Sequence, residues 1–287
     1  MKIKRIGFIG FGLIGGSIAH ALREQYPNSE LLAYNYYITK SHPRLELALM
    51  DGILNQITTE LSDFSECDCI FLCAPVIKNI AYLEKLKPFL SRDCLLTDVG
   101  SVKSDILAAV KEHGLCEQFV GGHPMTGSEK TGYEHSDSSF FRDKYYVLTP
   151  FAESRPEYTE WLKSFVRDIG SHCIILDADV HDSVVAGISH GPHVISAALV
   201  NAVAALDDEG TYAALAAGGF HGITRISSSS PEMWQNICLT NSGKICEFLD
   251  KYIEILNEAK EQVATGDAQG LMDFFAAAKA YRDSVRF

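Results

Sequence analysis

The stretch Ile6-Gly7-Phe8-Ile9-Gly10-Phe11-Gly12-Leu13-Ile14-Gly15-Gly16-Ser17 decides the fold. A short apolar run stops at a glycine-rich turn, and a helical pattern from about Ile14 to Gln25 takes over. Each glycine of such a G-x-G-x-x-G turn has a mechanical task. Gly10 permits the tight turn, Gly12 lets the backbone approach a pyrophosphate, and Gly15 lets the helix pack close to the strand. The first helical residues, Leu13 and Ile14, then turn their backbone N–H groups toward the phosphates. The turn therefore reads as a dinucleotide site.

Downstream of the turn, apolar runs alternate with helical patterns. Strands are expected at Glu30 to Tyr34, Cys69 to Cys73, Cys94 to Thr97, Phe119 to Gly121, Tyr145 to Leu148 and Cys173 to Leu176. Helical stretches separate most of them, around Leu45 to Met50, after Pro75, at Ser104 to Glu112 and at Pro156 to Ile169. Such alternation builds a doubly wound parallel sheet. After Asp177 the character changes. Val180 to Leu206 is one long alanine- and valine-rich helical stretch, and Ser230-Pro231 caps another helix. The expected architecture is α/β: a Rossmann-like dinucleotide domain over residues 1–176, then an all-helical domain over 177–287. The apolar richness of the second domain suits pairing with a second copy, a homodimer.

Composition narrows the function. A formal charge of −12 over 287 residues suits nucleic acid poorly. No unbroken apolar run reaches the ~18 residues of a membrane span, and no signal peptide is visible, so a cytoplasmic protein is expected. Eight cysteines are too dilute for a disulfide scaffold. Cys67, Cys69 and Cys73 fall on one face by strand alternation, but buried thiols behave as small hydrophobes, and no metal site is expected.

Several residues carry chemistry. An acid is usual at the end of the second strand, where it binds the ribose hydroxyls of NAD. Here stands Asn35, with Lys40 close behind, so NADP remains open although NAD is favoured. Ser101 lies in the Asp98-Val99-Gly100-Ser101-Val102-Lys103 loop, which also reads as a helix cap. His123, in Gly121-Gly122-His123-Pro124-Met125-Thr126-Gly127-Ser128-Glu129, follows a strand end and suits a base beside a nicotinamide. His190 and His193 share a helix face around Gly191-Pro192, which should kink the helix. Arg225 suits a bidentate grip on a carboxylate, or a plain salt bridge.

Taken together, FIGFGLIGGSIA, DVGSVK, GGHPMTGSE, HDSVVAGISHGPH and the Thr224-Arg225-Ile226 to Pro231-Glu232-Met233-Trp234 segment resemble the prephenate dehydrogenase family, arogenate dehydrogenases included. The resemblance implies oxidative decarboxylation of prephenate to 4-hydroxyphenylpyruvate in tyrosine biosynthesis. It implies that His123 meets the ring hydroxyl, that Ser101 orients both, and that Arg225 holds a substrate carboxylate. By the same token His190 and His193 line the pocket, Glu129 stands at its mouth, and Trp234 lies toward the side that a partner copy completes. His181 and Asp182 match the start of the helical domain, with no settled role. Two departures stand out: Asn35 in place of an acid, and Gly191 in place of a bulkier residue. A monofunctional chain, with neither a mutase region nor a regulatory domain, is the expectation. The rival readings are an arogenate dehydrogenase and a nucleotide-sensing homologue without catalysis. A β-hydroxyacid dehydrogenase would place a lysine base in the helical domain, and residues 180–206 contain none.

Overall fold

The computed structural model describes residues 3–37, 40, 42–128 and 130–285. Eight strands form one sheet in the order β3-β2-β1-β4-β5-β6-β7-β8. They are β1 (Arg5–Ile9), β2 (Glu30–Tyr34), β3 (Gln56–Thr58), β4 (Cys69–Leu72), β5 (Leu95–Asp98), β6 (Phe119–Pro124), β7 (Tyr145–Pro150) and β8 (His172–Ile175). The helices between them are α1 (Leu13–Gln25), α2 (Pro43–Met50), α3 (Val76–Leu86), α4 (Ser104–Glu112) and α5 (Pro156–Asp168). Strand order reverses direction between β1 and β4, and ligands of such sheets bind in the crevice at that switch, outside the carboxyl ends of the strands.

Both faces of the sheet are covered, so its inner strands read as continuous apolar runs rather than alternating ones. Phe8, Phe71, Tyr146 and Leu148 pack on one face with Ile18 and Leu22 of α1 and Phe165 of α5. Ile9, Ile70, Leu72 and Leu96 pack on the other with Leu83 of α3 and Ile106 of α4. Cys69 belongs to the first core and Cys67 to the second. The expected common face of the three cysteines therefore does not form, because Cys67 precedes the strand and escapes its alternation. Burial pushes the Cys67 thiol up to about 12, which suits a small hydrophobe.

Two expectations about the sheet are corrected. It is not wholly parallel: β6 and β7 pair antiparallel, with His123 opposite Val147 and Pro124 opposite Tyr146. And β6 does not stop at Gly121; it runs through His123 to Pro124. Two glycines and a proline read as a loop, yet Gly122 is where it is for room. A Cβ there would lie 2.7 Å from the Asp98 carbonyl oxygen. His123 thus sits on a paired strand, which holds it more firmly than a loop would.

The helical part comprises α6 (Ala178–Val185), α7 (Gly191–Ala204), α8 (Thr211–Leu215), α9 (Gly218–Thr224), α10 (Pro231–Thr240), α11 (Ser242–Thr265) and α12 (Ala268–Ser284). The expected serine cap is present: the Ser230 hydroxyl accepts the Met233 N–H. The expected interruption near Gly191-Pro192 takes the form of a π-helical turn, Ala186–His190, that joins α6 to α7 without a break. The expectation that no segment is long and apolar enough for a membrane is also corrected. The continuous helix Ala178–Ala204 spans 27 residues and contains an 18-residue stretch of mean hydropathy 1.3, which satisfies length and composition. The reason is that the π turn carries the helix across the glycine and proline that break the apolar run in the sequence. Its inward side nevertheless bears the buried polar residues His181, Asp182, His190 and Ser196.

Candidate active site

The glycine turn has the geometry its residues imply. Gly10 has φ +88°, and a Cβ on it would lie 2.5 Å from the Ala74 nitrogen. Gly12 faces open space, with nothing within 4 Å of a would-be Cβ. Directly behind it the first turn of α1 has no side-chain cap. Uncapped N–H groups behind an open cradle fit a pyrophosphate. Gly15 packs against Cys73 at the end of β4, where a Cβ would meet the Cys73 Cβ at 3.2 Å.

Beneath the carboxyl end of β5 lies a fully buried ion pair, Asp98 with Lys103. Asp98 Oδ1 accepts the Gly122 N–H at 3.1 Å, and Oδ2 accepts the Gly100 N–H at 2.9 Å. Lys103 Nζ donates to the Gly122 carbonyl at 2.8 Å. The pair thereby fastens the strand that carries His123 to the loop that carries Ser101. Burial pushes the Lys103 amine down, while Asp98 beside it favours the charge. Ser101 is partly buried in the loop between β5 and α4.

His123 meets a partner that sequence reasoning left without a role. Its Nδ1 lies 2.8 Å from His181 Nε2, and His181 Nδ1 lies 2.8 Å from Asp182 Oδ1. Asp182 also accepts the Lys103 and Ser104 N–H groups, each at 2.8 Å. These hydrogen bonds hold its carboxyl below the usual range against the opposing effect of burial. An ionised carboxylate only accepts. His181 must then donate from Nδ1 and accept at Nε2, so His123 donates from Nδ1. The lone pair of neutral His123 is left on Nε2, the position a base needs. Burial, and the neighbouring His181, Lys103 and His190, push the His123 pKa well below its ordinary value. The ring is thereby kept neutral.

A second group forms on the helical side. His193 stacks on Trp234 with centroids 3.6 Å apart and planes 24° apart, and His190 meets the same indole edge-on at 6.0 Å. The Trp234 Nε1 is buried without a hydrogen-bond partner. Asn241 Nδ2 donates to His190 Nδ1 at 3.1 Å and to the Asp182 carbonyl at 2.9 Å, linking this group to the His123 chain. Arg225 is exposed at the start of a 3-10 turn, Arg225–Ser228, after α9. The Ser196 hydroxyl of α7 holds that region by donating to the Ile223 carbonyl at 3.0 Å. Gly191, the second departure from the family pattern, sits between the two histidines. It packs against Phe248 of α11, whose ring a Cβ would overlap. Glu129 lies outside the described residues. Among the described residues, no three histidine, cysteine or acidic side chains are grouped to hold a metal.

Burial of neutral histidines makes stability depend on pH. Burial lowers the His190 pKa from 6.5 to about 4. The unfolded chain protonates near 6.5 and the folded one only near 4, so the unfolded state binds more protons between them. Stability is full above 6.5 and declines as pH falls toward 4, by about 3 kcal/mol for this one group. Urea midpoints measured across that range should fall with pH; a flat profile would contradict neutral burial of His190.

A glycine cradle at the switch point of a doubly wound sheet, with a buried histidine on β6 and a histidine–tryptophan group on the helical side, fits a dinucleotide-dependent oxidoreductase. The family profile described as prephenate dehydrogenase, nucleotide-binding domain, matches residues 18–175, and the one described as prephenate dehydrogenase, dimerization domain, matches residues 177–277. The chain is 34% identical over 281 residues to the prephenate dehydrogenase of Bacillus subtilis, covering 96% of this chain and 74% of that one. It is 28% identical over 286 residues to the cyclohexadienyl dehydrogenase of Zymomonas mobilis, covering 99% and 96%. Among solved structures it resembles Aquifex aeolicus prephenate dehydrogenase in complex with hydroxyphenyl propionate and NAD+, with TM-score 0.92, 28% identity and coverage of 100% and 99%. It also resembles Synechocystis arogenate dehydrogenase, with TM-score 0.84, 29% identity and coverage of 97% and 99%. The chain belongs to the prephenate dehydrogenase family.

Proposed function

We propose that this protein is an NAD-dependent dehydrogenase that oxidatively decarboxylates prephenate to 4-hydroxyphenylpyruvate. It would act as a soluble, cytoplasmic homodimer paired through the helical region, with the domain division at residues 176 and 177. The observation that carries the chemistry is the His123–His181–Asp182 chain, which leaves a neutral acceptor at His123 Nε2. Gly10, Gly12, Leu13, Ile14, Gly15 and Asn35 are the proposed cofactor contacts. The nicotinamide, when bound, supplies the acceptor for the hydride. His123 Nε2 takes the proton of the ring hydroxyl as its carbon loses hydride. Asp182, through His181, offsets the positive charge that develops on the His123 ring. Carbon dioxide then leaves, the ring becomes aromatic, and the proton returns from His123 to the phenolic oxygen. Ser101 orients hydroxyl and base, Arg225 holds a substrate carboxylate, and His190, His193 and Trp234 form the pocket wall. Alignment and a poised base are the protein's contribution.

Asp182→Asn tests the orientation. A carboxamide has one acceptor oxygen where the carboxylate has two, so it cannot accept from His181 and from both the Lys103 and Ser104 N–H groups, and the His181 and His123 tautomers are no longer fixed. We expect turnover to fall about a hundredfold or more, read in steady-state assays with saturating NAD+. A rate within twofold of the unaltered protein would remove Asp182 from the mechanism.

The substrate is tested by supplying prephenate and L-arogenate separately with NAD+ and following reduced cofactor. Faster turnover of prephenate supports the proposal. Preference for L-arogenate would reassign the side-chain specificity, and inactivity on both would overturn the enzyme reading.

A further inference from the structure

Asn241 stands at the junction where α10 ends and α11 begins, and it is buried. An asparagine just before a helix ordinarily turns its oxygen back to accept an N–H of the first turn. Asn241 makes no such bond to α11. Its amide turns inward instead, with Nδ2 2.9 Å from the Asp182 carbonyl oxygen and 3.1 Å from His190 Nδ1.

These two contacts fix a proton. A carbonyl oxygen only accepts, so the Asn241 atom facing Asp182 is the NH2 group, and its second hydrogen faces His190 Nδ1. Nδ1 therefore accepts. Burial lowers the His190 pKa to about 4, and a neutral ring that accepts at one nitrogen carries its proton on the other. His190 is left with an N–H at Nε2, on the part of the ring turned away from Asn241. The backbone makes this meeting possible. Asp182 and His190 are eight residues apart. Two α turns take about 7.2 residues, and the π turn Ala186–His190 adds about one. His190 thus comes round to the side of the helix that carries Asp182, where one amide can engage both.

We propose that Asn241 is a positioning residue: it holds His190 as a donor from Nε2, and that N–H binds a carboxylate of the substrate. This rests on the reading of the helical pocket as the prephenate site. The His190 ring meets the edge of the Trp234 indole on which His193 stacks, so it stands at that pocket. Its tautomer is the reverse of that at His123, whose bare Nε2 accepts. The pocket then offers an acceptor to the ring hydroxyl and a donor to an anion. An N–H bonded to a carboxylate is stronger than one bonded to a neutral acceptor.

Proton–nitrogen NMR of the whole protein, labelled in its histidine rings, reads the tautomer without substrate. His190 should carry its proton on Nε2 in the unaltered protein. Asn241→Leu should give both tautomers, and Asn241→Asp, an acceptor of the same size, should put a proton on Nδ1. A proton on Nδ1 of the unaltered protein, or a tautomer that neither substitution moves, would overturn the positioning role. Steady-state assays with prephenate and saturating NAD+ read the donor. His190→Leu should raise KM for prephenate by about tenfold, with a smaller change in kcat, whereas His190→Gln, whose amide N–H can stand near the place of Nε2, should raise it by only about threefold. Equal rises in the two variants, or none in either, would overturn the donor role and leave the reaction standing. Inactivity of the unaltered protein on prephenate would overturn the donor role together with the reaction, and the proton on His190 would still decide what Asn241 does.

Discussion

Replacing His123 by asparagine should lower the rate of cofactor reduction by about 10²- to 10⁴-fold while leaving NAD+ binding close to normal. The carboxamide can occupy part of the ring's space and can still hydrogen-bond the substrate hydroxyl. It cannot take a proton at any accessible pH. Hydride loss from a carbon that keeps its hydroxyl proton would leave a protonated carbonyl, a far less stable product than the neutral one. The loss should therefore appear in kcat, with a smaller change in KM, because the missing interaction forms as the hydroxyl proton moves. NAD+ titration of the variant is the control, since the glycine turn lies between β1 and α1 and His123 on β6. A variant retaining more than a tenth of the rate would show that the base lies elsewhere.

Lys103→Met should have the largest effect on stability. The side chain is fully buried, and its partner Asp98 has no exposed surface either. Removing the ammonium leaves the Asp98 carboxylate with backbone donors from Gly100 and Gly122 but no cation, and the Gly122 carbonyl loses its donor. Breaking a buried pair from one side costs roughly 3–5 kcal/mol. The urea midpoint should fall accordingly. Activity should fall too, since Gly122 adjoins His123 on the strand the pair fastens. Replacing both residues by apolar ones of similar size should recover part of the stability without recovering the activity. A midpoint unchanged in Lys103→Met would mean that the pair holds nothing in place.

How much was legible in the sequence follows from how local each feature is. The turn at Gly10 and Gly12 and the helix behind it are set by neighbouring residues, and they appear where the pattern put them. The Ser230 cap is local as well. The extension of β6 through His123 is not, because it depends on pairing with β7 across an intervening loop. His181 is the clearest case. It acquires a role only because the fold brings it to His123, 58 residues away in the chain. Nothing in a histidine followed by an aspartate says which ring nitrogen is anchored or what the other one meets. The same holds for Trp234, whose stacking on His193 joins α10 to α7. Asn35 was legible as a departure, but its commitment to Tyr37 and Lys40 was not.

The protonation of His123 itself is the most direct test. Long-range proton–nitrogen NMR of protein labelled in its histidine rings distinguishes the two neutral tautomers and the imidazolium. With His181 anchored on Asp182, His123 should carry its proton on Nδ1 and a bare Nε2 at neutral pH, and Asp182→Asn should give a mixture of the two tautomers. A proton found on Nε2 of the unaltered protein, or on both nitrogens, would contradict the role of His123 as the poised base.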